Sequence, residues 1–90
     1  MTIIERVARA LAGHHYSRNA EGAAPPGVPA AELVDRHWRD YVGDAVAVLK
    51  TMREADPRMI AAGEMAISRG VAAIWEEMVR AAVGEDVPAA

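Results

Sequence analysis

The chain lacks cysteine and phenylalanine, has one lysine among its ten basic residues, and contains no long apolar run. Without cysteine there is no disulfide, no thiolate metal site and no thiol nucleophile. Without an apolar stretch near the roughly 20 residues that span a bilayer, no membrane helix is expected. The first residues, Met1-Thr-Ile-Ile-Glu-Arg, carry charge where a signal peptide needs an apolar segment, which points to a cytoplasmic protein. Charge of one sign is also scarce. The net charge of −3 is spread thinly over 90 residues, so the dense basic footprint of a nucleic-acid binder is missing. The preference for arginine over lysine, set beside the abundant alanine, reflects a GC-rich genome rather than arginine chemistry.

What is present is alanine, valine, isoleucine and methionine, in a composition that is 52% hydrophobic and 26% charged. That is globular rather than disordered, and the high helix propensity of alanine, with no valine-rich alternation, predicts an all-α fold in a single domain over 1–90. Thr2-Ile3-Ile4-Glu5 has capping-box spacing, and Ile3, Ile4, Val7, Ala8 and Leu11 form an apolar stripe. A short N-terminal helix is therefore expected over about 3–12, stopped by Gly13. Residues 14–28, with two glycines, adjacent prolines and no periodicity, read as a mobile loop.

A long helix is expected over about 29–54, with Val34, Trp38, Tyr41, Ala45, Val48 and Met52 spaced as a heptad seam. On its outer face, Glu32–Arg36, Asp35–Arg39 and Arg36–Asp40 lie four residues apart. Asp56-Pro57 is a cap followed by a proline at the first helical position, and it opens a third helix over about 57–83 that Gly84 ends. Two long helices joined by so short a turn imply an antiparallel helical hairpin. In that register Tyr41 faces Gly70, Val48 faces Gly63, and Trp38 lies beside Trp75. Trp38, Tyr41, Gly63, Gly70 and Trp75 are thus the candidate core or interface residues. The apolar surface of such a hairpin exceeds what one short helix covers, which predicts a homodimeric bundle.

No catalytic constellation is legible, so the chain is not expected to be an enzyme, and no cofactor or metal site is expected. His14 and His15 are adjacent and point about 100° apart on a helix, so they cannot chelate together. Asp35 and His37, two apart, share that defect. Glu64, close to the apolar face, reads as an edge residue. Ser17 and Ser68 sit in no nucleophile elbow. The prolines in Gly22-Ala-Ala-Pro-Pro-Gly27 remove backbone donors that a phosphate cradle needs.

Ile4-Glu-Arg-Val-Ala-Arg-Ala-Leu11, Thr51-Met-Arg-Glu54 and Met59-Ile-Ala-Ala-Gly63 carry a resemblance. With Trp38 and Tyr41 upstream and Ile74-Trp-Glu-Glu-Met-Val-Arg-Ala-Ala82 downstream, they resemble a family of small uncharacterised helical proteins of alphaproteobacterial genomes and their phages or prophages. The likeness covers the helices and leaves out residues 14–28. It departs from the family at Ala55-Asp-Pro57, where the proline more often follows the glutamate directly. It implies a phage-associated setting and supplies no activity. The expected function is a protein-interaction module, such as a regulator or inhibitor that acts by binding another protein. The alternative is a nucleic-acid-binding accessory protein using Arg18, Arg36 and Arg39.

Overall fold

The computed structural model describes residues 1–18 and 28–84. Among them there are α-helices and short 3-10 turns and no strand. The all-α class follows from the alanine-rich composition. The helices are α1 (Ile3–Arg18), α2 (Ala30–His37), α3 (Val42–Thr51), α4 (Pro57–Met65) and α5 (Val71–Val83). The chain divides into two compact units, Met1–Arg53 and Glu54–Ala90.

In the first unit α1 packs against α2, α3 and the 3-10 turn Trp38–Tyr41 that links them. Thr2 caps α1, its Oγ1 accepting a hydrogen bond from the Glu5 amide at 3.1 Å. The helix does not stop at Gly13 but continues to Arg18, so His14, His15, Tyr16 and Ser17 are helical rather than part of a loop. Of the expected loop, residues 19–27 lie outside the described residues. Gly13 tolerates the helix interior because α2 lies alongside: a Cβ there would meet Val34 Cγ2 at 3.8 Å, an ordinary contact. Ala8 and Ala12, four apart and fully buried, form the ridge on which the unit closes, with Leu33 and Ala45 buried opposite. Ile3 and Ile4, expected on the inner stripe, are exposed.

The helix expected over 29–54 is interrupted. His37 (φ −120°, ψ −1°) and Tyr41 (φ −99°, ψ 2°) leave helical geometry on either side of the 3-10 turn. Three residues per turn bring positions i and i+3 into line, and Trp38 and Tyr41 both meet α1, at Arg9 and His15.

In the second unit Asp56 caps α4, its Oδ1 accepting from the Met59 amide at 2.9 Å, with Pro57 at the first helical position. The helix expected over 57–83 is also interrupted, by the 3-10 turn Ile67–Arg69 and then Gly70 at φ 99°, ψ 169°. That region of backbone space is essentially reserved for glycine. Gly70 is therefore the hinge at which α5 folds back on α4, and the Ile74 amide donates to its carbonyl at 3.0 Å. No atom lies within 4 Å of where a Gly70 Cβ would stand. Gly84, at φ 80°, ends α5 in the left-handed conformation common at helix C-termini.

Candidate interaction surface

Two places gather chemistry. In the first unit, the Trp38 ring is flanked by two guanidinium groups, Arg9 at 5.2 Å and Arg39 at 4.5 Å from the ring centroid. Both distances are in the range of cation–π attraction. Arg9 Nη1 also donates to Asp35 Oδ1 at 2.7 Å, and its buried Nε lies 3.8 Å from Glu5 Oε2, beyond hydrogen-bond reach. Asp35 thus pairs across to α1 instead of with Arg39, which the 3-10 turn carries onto Trp38. Likewise Asp40 lies 3.6 Å from His37 Nδ1 rather than on Arg36. Only Glu32–Arg36, wholly within α2, forms as helical spacing requires, at 2.6 Å. Arg9, Arg36 and Arg39 are thus each engaged within the chain.

Sequence reasoning missed a neighbouring cluster. The His15 ring lies 5.0 Å from Tyr16 and 6.1 Å from Tyr41, and Tyr16 lies 5.8 Å from His37. The missed signal was the continuation of α1 beyond Gly13, which alone places His15 and Tyr16 beside the turn. Burial raises the Tyr41 phenol above the ordinary tyrosine value, with Tyr16, Asp40 and Asp44 adding to it. No group of three histidines, cysteines or carboxylates among the described residues could hold a metal ion. Two open depressions beside the α1 N-terminus, about 250 and 470 Å³, are lined mainly by aliphatic side chains and Trp38, with Thr2, Glu5, Lys50 and Arg53 as their polar members.

The second place is α5. Its inner side meets α4 at Gly63, where a Cβ would lie 3.0 Å from Met78 Cγ and Sδ and 3.4 Å from Ile74 Cγ2. Gly63 is therefore a true close approach. Met59, Gly63, Ala66 and Ala81 are the buried residues of this unit. At 100° per residue, however, the apolar positions of α5 span an arc of roughly 200°. Ala81, Ile74 and Met78 occupy the side toward α4. Val71, Trp75, Val79, Ala82 and Val83 occupy the other, and Val71 (82%), Trp75 (45%) and Val83 (63%) are exposed. Glu76 and Arg80 border that second stripe, and Glu77 forms ion pairs with Arg69 and Arg80 at 3.5 and 3.7 Å. Glu64 is exposed.

Of the five residues singled out from the sequence, Trp38 and Tyr41 share one turn, Gly63 packs between α4 and α5, Gly70 is a hinge, and Trp75 lies exposed on α5. Among the described residues no helix is long and apolar enough to cross a membrane. No family model, no curated protein and no solved structure matches the chain.

Proposed function

We propose that the chain is a small protein-interaction module whose contact surface is the outward apolar stripe of α5. The observation that carries this is the exposed row Val71, Trp75 and Val83, next to a core with no fully buried large side chain among the described residues. A unit of under forty residues is smaller than what ordinarily folds without help, below about 40 residues. Covering the stripe with a partner supplies the missing burial, at about 25 cal/mol per Å² of apolar surface. Tryptophan ringed by aliphatic residues is the usual make-up of an energetic centre in an interface. A role as a cytoplasmic, phage-associated regulator or inhibitor fits such a surface.

Affinity capture with the wild-type chain and with Val71→Glu in parallel tests the reading. Partners bound through α5 are retained by the first and lost by the second. Equal capture by both chains would remove α5 from the contact. The rival reading, nucleic-acid binding, predicts sub-micromolar affinity for duplex or single strands at 150 mM salt. The net charge and the paired arginines predict affinity weaker than about 10 µM, the non-specific range.

A further inference from the structure

The geometry points to a second copy of this chain as the occupant of the α5 stripe, seated antiparallel. This rests on the interaction reading above and adds to it the identity of the partner. Three observations support it.

The first is area. Ile60, Met65, Ile67, Val71, Trp75 and Val83 are the exposed large hydrophobics of this unit. Val71, Trp75 and Val83 put large exposed side chains on the α5 stripe itself, and a standard interface takes roughly 800 Å² from each partner. The α5 stripe is the continuous part of that surface.

The second is self-complementary shape. A two-fold contact must set the same patch against itself. Val71, Trp75, Val79 and Val83 follow one another at four-residue steps. Reversing a copy about the middle of the stripe sets Val71 against Val83 of the second copy and Trp75 against its Val79. A large ring meets a small side chain twice, once on each side of the axis.

The third is charge. Glu76 and Arg80 lie on the same border of the stripe. In an antiparallel helix pair like borders face each other, so Glu76 meets Arg80 of the second copy and Arg80 meets its Glu76. Glu76 makes no ion pair among the described residues, and the Arg80–Glu77 contact of 3.7 Å is loose enough to rearrange. A parallel pairing would turn this border toward the α4 side and lose both contacts.

Sedimentation equilibrium of the full chain between about 1 and 100 µM reads the result. The expected mass at the upper end is twice 9.6 kDa. Val79→Glu weakens the dimer by at least about tenfold while helix content by circular dichroism is retained. Glu76→Arg alone and Arg80→Glu alone each set like charges face to face and weaken self-association. Mixed one to one, those two chains form a heterodimer tighter than either homodimer by roughly 3- to 10-fold. That gain arises only between chains, so it survives any loss of stability in the single variants. A dimer that ignores Val79→Glu, or a mixture no tighter than its components, overturns the antiparallel assignment. A wild-type monomer at 100 µM overturns the second copy altogether. In that case acrylamide quenching of Trp75 in a Trp38→Phe chain separates the two ideas. An accessible Trp75 leaves the surface open to a different protein, and a shielded one removes the surface as well.

Discussion

Replacing Gly70 tests why a glycine stands there, because close packing and backbone conformation predict different mutant series. At φ 99°, ψ 169°, with nothing within 4 Å of the Cβ position, the cost of a side chain here is conformational and not steric. Holding an L-residue in so sparsely populated a region costs about 1–3 kcal/mol. Losing glycine's freedom in the unfolded chain returns roughly 0.4–1 kcal/mol. The net for Gly70→Ala is a loss of about 1–2 kcal/mol, or roughly 4–8 °C of melting temperature per kcal/mol at this size. Gly70→Leu is expected to cost the same within about 0.5 kcal/mol, since the Cβ position is open and the residue exposed. A synthetic chain with D-alanine at this position adopts the same angles as a mirror-image extended residue, so it is expected to match or exceed the wild type. Urea unfolding followed at 222 nm compares the four chains. If Leu costs several kcal/mol more than L-Ala, the site is tightly packed. If L-Ala is as stable as glycine, no positive φ is required. Either result refutes the reasoning.

Asp56→Ala removes the acceptor of the Met59 amide and is expected to lower stability by about 1 kcal/mol, read by the same denaturation. Arg9→Ala strips one face of Trp38 and the Asp35 bond together and is expected to cost about 1–2 kcal/mol, whereas Asp35→Asn, at an exposed carboxylate, should cost under about 0.5. Equal losses would mean that the ion pair and not the ring contact matters. Tyr41 favours its neutral phenol in the folded state, so its contribution is undiminished below the ordinary tyrosine value and is lost as pH rises through the higher folded one. The chain has two tyrosines. Absorbance at 295 nm should show a phenol transition above the ordinary tyrosine value that is absent from Tyr41→Phe; a Tyr41→Phe chain that keeps it would contradict the assignment.

Local chemistry could be read from the sequence wherever its partners are a few residues away. The Thr2 and Asp56 caps, Pro57 as the first residue of α4, the Gly84 terminus and the Glu32–Arg36 pair each depend on neighbours within about one turn, so spacing sufficed. The helical class followed for the same reason, since propensity summed along alanine-rich stretches needs no tertiary information. Continuity of the helices did not follow. Heptad spacing runs unbroken through Trp38–Tyr41 and through Gly63–Gly70, and period alone cannot register a backbone that changes pitch. Only packing decides that Trp38 and Tyr41 must share α1, that Gly13 is an interior residue while Gly70 is a hinge, and that Asp35 reaches Arg9. Glycine carries two opposite instructions, close approach at Gly63 and a positive φ at Gly70. They look identical in sequence because the difference lies in what stands next to each in space. The apolar arc of α5 was visible from its residues; which half of it α4 covers, and which half is left for a partner, is a fact of the tertiary structure.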